Sequence, residues 1–220
     1  MEREPTIWLV GATGLVGKGA VRSFIQDERP GLLRAFLRRS TGLEGARYEE
    51  TIVDFEKLSE EISAKVPADE SPDVALCALG TTIKVAGTKE AFRRIDHDYV
   101  LAFAEAAKSR GVRHFIAVTA LNSNARSPFF YSRVKGDVER ALRGMGFESL
   151  TLVRPSLLLG EREERRFAES FAAPFSKLLP RALRGIEGER VGRALIALAF
   201  EEPLPGVRIV PSGELFEIAP

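Results

Sequence analysis

Thr6-Ile-Trp-Leu-Val-Gly11-Ala12-Thr13-Gly14-Leu15-Val16-Gly17-Lys-Gly-Ala20 reads as a short apolar strand, a glycine turn and the start of a helix. Gly11, Gly14 and Gly17 recur at every third position. Glycine can take a positive φ in a tight turn, which lets backbone N–H groups close on a pyrophosphate. The N-terminus of the following helix carries partial positive charge and stabilises that anion. The third glycine permits close packing of helix on strand. A glycine triplet alone says little. Directly after the first strand of an alternating β/α chain it marks a dinucleotide site, with residues 11–17 as the cradle. The plainer alternative is a glycine turn that serves packing only.

Outward from this stretch, apolar runs alternate with amphipathic segments. Strands are expected at Thr6–Val10, Leu33–Leu37, Tyr48–Val53, Val74–Ala78, His114–Thr119, Ser149–Val153 and Val207–Val210. Near-continuous apolar strands suit a parallel sheet covered on both faces, so the fold class is α/β, doubly wound. The clearest helix spans Phe92–Arg110, with Phe92, Ile95, Tyr99, Phe103 and Ala106 as its apolar stripe and Gly111 as its cap. A second runs from Ser127, its cap, through Pro128 in the first turn to Gly144, burying Phe130, Val134, Val138 and Leu142. A third, Glu189–Phe200, should pack on the sheet. Between the last two lie a charge run, Glu161–Arg166, and an apolar stretch, Phe167–Ile186, broken by Pro174 and Pro180. That stretch is expected to form a small cap over the carboxyl edge of the sheet. The organisation is one domain over 1–220, with a core at 5–160 and a C-terminal elaboration at 161–220.

Composition narrows the class. The chain has 220 residues, hydrophobic content of 45%, and 32 Lys+Arg against 31 Asp+Glu, a net charge of +1. Nothing here calls for nucleic acid or an anionic membrane as a partner. No apolar run approaches the ~20 residues of a membrane helix. Met1-Glu-Arg-Glu-Pro5 runs straight into a strand without a secretory signal. The lone cysteine, Cys77, reads as a small buried hydrophobe, and two scattered histidines, His97 and His114, do not make a metal centre. A cytoplasmic location follows as the expectation.

Nucleotide choice is read at the end of the second strand, where an NAD site usually offers an acid to the ribose hydroxyls. This chain offers Leu37-Arg38-Arg39-Ser40. Two guanidiniums suit a 2′-phosphate by charge and by fork geometry, so NADP(H) is the expected cofactor. Exposed surface arginines are the alternative. Asp54 and Phe55, after the third strand, could meet the adenine amino group and ring. Leu79-Gly80-Thr81-Thr82, after the fourth, would pass beneath the ribose and nicotinamide.

Tyr131 and Lys135 lie four residues apart in the second helix and are neighbours on one face. A lysine ammonium and a bound nicotinamide cation would favour phenolate over phenol. Tyr131 could then exchange a proton with a substrate oxygen while hydride moves at the same carbon. Thr119 or Ser123, at the end of the fifth strand, would orient that oxygen. The alternative is an amphipathic pair lying along a helix surface.

These residues resemble the short-chain dehydrogenase/reductase superfamily in its atypical, extended-like branch, and within it the Tat-interactive-protein-type oxidoreductases. The resemblance runs from Thr6 to about Arg166 through GATGLVG, LRR, VDFEKL, CALGTT, RIDHDYV, FFYSRVKGDVE and LVRPSLLLG. It implies NADP(H) binding by the glycine loop and basic residues, a Tyr/Lys pair, and a sheet ordered 3-2-1-4-5-6-7. It also implies that Arg154-Pro155-Ser156 lies beside the nicotinamide. Two positions depart from the pattern: a serine pair common in relatives reads Thr119-Ala120, and Asp96 stands where many have Asn. The expected activity is reduction or oxidation of an unidentified small carbonyl or alcohol. The alternative is a non-catalytic NADP(H)-sensing module in which the cap meets a protein partner. A sugar-nucleotide epimerase is disfavoured by the small C-terminal region.

Overall fold

The structure, a computed structural model, describes residues 4–160 and 184–220. The charge run at 161–166 and nearly all of the expected cap at 167–186 lie outside the described residues.

Seven strands form one parallel sheet: β1 (Thr6–Val10), β2 (Leu32–Leu37), β3 (Tyr48–Ile52), β4 (Val74–Cys77), β5 (His114–Val118), β6 (Ser149–Arg154) and, at the edge, β9 (Gly206–Pro211). Their order is β3-β2-β1-β4-β5-β6-β9. This is the expected 3-2-1-4-5-6-7 order. Its seventh strand is β9 because two-residue strands, β7 (Leu158–Leu159) and β8 (Ile186–Glu187), pair separately beforehand. The order reverses between β1 and β4, so a crevice opens at the carboxyl ends of those two strands.

Alternation along β1 divides the core. Ile7 and Leu9 face one layer and Trp8 and Val10 the other, all fully buried. The first layer is made by α1 (Leu15–Gln26) and the later helix α7 (Gly188–Ala199). The second is made by α2 (Leu58–Lys65), α5 (Tyr99–Ser109) and α6 (Phe130–Gly144). Two short helices, α3 (Ile83–Ala86) and α4 (Lys89–Arg93), follow β4, and α8 (Ser212–Ile218) follows β9.

Helix α7 lies against α1 with almost no space between backbones. A Cβ on Gly192 would sit 2.3 Å from the Ala20 nitrogen, and one on Gly19 would sit 2.7 Å from Glu189 Cα. The expected sheet-packing helix at 189–200 is therefore part of the main core rather than an appendage to it.

Two helices differ from expectation. The run expected over 92–110 is interrupted by a π turn, Arg94–Asp98, between α4 and α5. The buried row passes through Phe92, Asp96, Val100, Phe103 and Ala107, while Ile95 and Tyr99 are only half-buried. A search for an apolar stripe leaves out a carboxylate by construction, and here the carboxylate points inward. Helix α6 starts at Phe130, because the Ser127 hydroxyl accepts from Phe129 N at 3.2 Å in a local turn instead of capping the helix. It continues through Gly144, and the left-handed glycine beyond its end is Gly146, at φ 68°. Gly111, at φ 78°, does terminate α5.

Candidate active site

The site is built on the carboxyl edge of the sheet. After β1, Gly11 turns at φ 89° and passes so near the end of β4 that a Cβ on it would lie 2.5 Å from the Ala78 carbonyl. Gly14 N donates to Gly11 O at 2.9 Å. Gly17, in the first turn of α1, lies under Gly11, where a Cβ would come within 2.1 Å of its oxygen. Thr13, Gly14 and Leu15 are exposed, whereas Ala12, Val16 and Gly17 are buried. Helix α1 has Gly14 as its N-cap residue and therefore no side-chain cap, which leaves its first N–H groups available to an anion. Those two excluded Cβ positions and the uncapped helix start form a cradle that fits a pyrophosphate.

Gly11, Ala12, Thr13, Leu37, Arg38, Phe55 and Leu79 line one cleft, and Phe36, Ile95 and Tyr99 complete it. The Arg38 guanidinium stands 5.9 Å from the Phe55 ring, which in turn meets Tyr99 edge-on at 5.5 Å. Arg39 is exposed in the same turn, one residue further on. Asp54 uses its carboxylate to accept from Glu56 N at 3.0 Å, capping a 3-10 turn. Tyr99 donates to Glu56, and burial and that carboxylate push its phenol up to about 12.

Beyond Leu79 the loop passes over a buried ion pair. Lys135 Nζ lies 2.7 Å from Asp96 Oδ1, with side-chain exposures of 5% and 0%. Thr81 N donates to Asp96 Oδ2 at 2.8 Å. A Cβ on Gly80 would stand 3.6 Å from both Asp96 Oδ1 and Lys135 Nζ, so the loop rests on the pair. Thr82 caps α3 by accepting from Val85 N at 3.2 Å. Burial opposes the charge of Lys135, yet Asp96 and Tyr131 together hold the ammonium above its ordinary range. Burial pushes Asp96 upward, and the lysine charge works against that.

Tyr131 stands in the first turn of α6, one turn before Lys135, partly exposed, with its ring 5.6 Å from that of Phe92. Lys135 is not the surface lysine of the alternative reading. The two candidate hydroxyls differ in surroundings. Thr119 is buried and donates to Glu139 Oε1 at 2.7 Å. Ser123 is half-buried, and its Oγ donates to Ala120 O at 2.8 Å and accepts from Ala120 N at 3.1 Å. Gly136 lets this loop approach, since a Cβ there would lie 2.1 Å from Ala125 N.

The Arg154-Pro155-Ser156 stretch is tied down on three sides. Arg154 Nε donates to Glu139 Oε1 at 2.9 Å and its Nη2 to Oε2 at 2.5 Å. Pro155 O accepts from Leu121 N at 3.0 Å. Ser156 accepts from Ser212 Oγ at 2.9 Å and donates to the Arg184 carbonyl. Motif spacing does not reveal Glu139, although its i+4 step from Lys135 was available in the sequence.

Residues 11–201 match a protein family described as NAD(P)H-binding. This chain belongs to the NAD(P)H-binding family. The NAD(P)H-binding protein is 37% identical over 218 residues to Protein FMP52, mitochondrial, of Eremothecium gossypii, covering 96% of this chain and 95% of the relative. It is 35% identical over 178 residues to Protein HTATIP2 of Rattus norvegicus, covering 80% and 72% of the two chains. Among solved structures, an oxidoreductase of the short chain dehydrogenase/reductase family from Burkholderia thailandensis superposes with a TM-score of 0.71 at 18% identity, covering 98% of this chain and 94% of that one. At that identity the likeness shows the fold alone. The NAD(P)H-binding protein is therefore of the Tat-interactive-protein type, with a Rossmann-like sheet and a nicotinamide dinucleotide as cofactor.

One expectation is corrected. Relatives from Eremothecium gossypii, Emericella nidulans and Meyerozyma guilliermondii are all named as mitochondrial, which overturns the cytoplasmic assignment. Among the described residues no helix is long and apolar enough to cross a membrane, and no His/Cys/Asp/Glu group could hold a metal ion.

Proposed function

We propose that the NAD(P)H-binding protein is an NADP-linked oxidoreductase acting on a small carbonyl or alcohol, with Tyr131 as general acid and base. The observation that carries this reading is the seating of Lys135 beneath Gly80, one helical turn from Tyr131 and on the same sheet edge as the glycine cradle. In this reading Gly11–Gly17 grip the pyrophosphate, Arg38 and Arg39 clamp a 2′-phosphate, and Asp54 and Phe55 meet the adenine. Leu79–Thr82 run beneath the ribose and nicotinamide, with Arg154-Pro155-Ser156 on the far side. The nicotinamide, when bound, supplies or accepts hydride. Tyr131 Oη gives its proton to the substrate oxygen in reduction and takes one in oxidation. Lys135 holds the ribose and favours the phenolate. Both hydroxyls are engaged within the protein, but Thr119 is buried and Ser123 only half-buried, which favours Ser123 as the orienter of the substrate oxygen. The whole of 1–220 acts as one domain.

In a carbonyl substrate screen with NADPH, Tyr131→Phe is expected to lose about 100-fold or more in turnover while keeping NADPH affinity. Full activity in that variant would sink the assignment.

A further inference from the structure

The two most exposed large apolar side chains among the described residues are Val85, at 78%, and Phe129, at 74%. Scattered apolar residues are ordinary on a protein surface. These two are not scattered. Val85 belongs to α3, which continues the Leu79–Thr82 loop, and Phe129 is the residue from which α6 springs, two positions before Tyr131. Helix α4 joins the two segments. It follows α3 directly, and its Phe92 ring lies 5.7 Å from that of Phe130 and 5.6 Å from that of Tyr131. Ile83 and Tyr131, both partly exposed, add to the apolar surface of the same segments. Neither Val85 nor Phe129 is explained by the fold. Helix α3 has no buried residue, so its apolar side chains contribute nothing to the core, and valine is a weak helix former at an exposed position. Phe129 is the N-cap of α6, where Ser, Thr, Asp or Asn would accept a backbone N–H, and that helix has no side-chain cap. Sequences break such local rules where a site requires it.

We propose that this site takes carbonyl compounds bearing an apolar chain, with Val85 and Phe129 as the walls along which the chain lies and the Tyr131 hydroxyl at its reactive end. The inference rests on the oxidoreductase reading above for where the carbonyl sits. Polar groups beside the two walls are engaged within the chain. Thr82 accepts from Val85 N, and the Ser127 hydroxyl accepts from Phe129 N. Lys89 faces the Phe130 ring at 5.6 Å, and Arg133 donates to the Ser127 carbonyl at 2.8 Å. What remains for the far end of a substrate is hydrocarbon. A chain laid along it leaves water, and each methylene covered strengthens binding by about threefold to fourfold. A polyhydroxylated chain would lose water from its hydroxyls and find no partner on Ile83, Val85 or Phe129.

Unbranched aldehydes from propanal to octanal, reduced with NADPH, read the chain dependence directly. kcat/KM is expected to rise by about threefold per added carbon over the first members of the series. The slope should flatten when Val85→Ser and Phe129→Ser are combined, and persist in Val207→Ser, an exposed apolar position on the edge strand β9. A flat series in the unaltered protein, or a slope untouched by the double substitution, overturns the proposal. Phe129→Ser restores a capping side chain, so its urea midpoint should not fall. A marked fall would show that Phe129 serves the fold, and overturns the assignment as well. Primary amides of the same chain lengths carry the carbonyl but are not reduced, and their affinity for the NADPH-loaded protein is read from nicotinamide fluorescence. Amide binding that strengthens with chain length and weakens in the double variant, in a protein without turnover, keeps this inference and loses the oxidoreductase one. Turnover of the aldehydes with no dependence on chain length does the reverse.

Discussion

The Thr119 hydroxyl donates to Glu139 Oε1 at 2.7 Å, and this one bond fastens the end of β5 to the helix that carries Tyr131 and Lys135. Glu139 is buried two turns beyond Tyr131 and also takes both Nε and Nη2 of Arg154. Three elements of the carboxyl edge thus meet on one carboxylate. Removing the members should have unequal costs. Thr119→Val is expected to lose about 1 kcal/mol, the net worth of one hydrogen bond. Glu139→Ala is expected to lose about 2–3 kcal/mol, since it strands a partly buried guanidinium. Urea denaturation of the two variants checks this, and equal losses would mean that the carboxylate is not the hub.

Arg38 and Arg39 leave β2 side by side and exposed, with Arg38 lining the cleft against Phe55. Charge-assisted bonds to a phosphate are worth about 1.5–3 kcal/mol each. Replacing both by Ala should therefore lower the preference for NADPH over NADH by tenfold or more. A titration following energy transfer from Trp8, buried in β1, reads both affinities. An unchanged ratio would show that neither guanidinium meets the 2′-phosphate.

His114 starts β5 fully enclosed, with Nε2 2.8 Å from Thr151 Oγ1. Burial, aided by the Arg208 charge, lowers its imidazole to about 4. In the unfolded chain the ring titrates near ~6.5, so between those values the unfolded state binds the extra proton. The neutral ring's contribution is complete above that upper value and is lost as pH falls toward the lower one, by about 3 kcal/mol across the window. His114→Asn should flatten this part of the stability profile, measured by urea midpoints from neutral to acid pH. Parallel profiles for the two proteins would count against a neutral buried ring.

What the sequence disclosed was what periodicity and spacing can carry. Gly11, Gly14 and Gly17 after an apolar run placed the turn, and the apolar runs marked six of the sheet strands and the edge strand β9, while their order in the sheet was legible only through the family resemblance. Tyr131 and Lys135 were visible because four residues make one helical turn. Asp96 and Glu139 were not visible as inward groups, because a carboxylate faces the interior only when a distant chain segment supplies its partner. For Asp96 that partner is Lys135, and for Glu139 it is Thr119 and Arg154. The π turn at 94–98 and the shifted start of α6 came from local bonding that a 3.6-residue period does not encode. Compartment was misjudged for a similar reason: a single cysteine speaks to redox state, which several compartments share.

The near-contact of α1 and α7 through Gly19 and Gly192 has a bearing on how the protein is made. A growing chain that has reached β6 already contains the whole phosphate-gripping turn, but not the helix that covers its flank. Domains tend to fold as units during synthesis, and here the brace for α1 is translated long after α1 itself. Close seating of α1 against its neighbour thus requires a chain complete through α7.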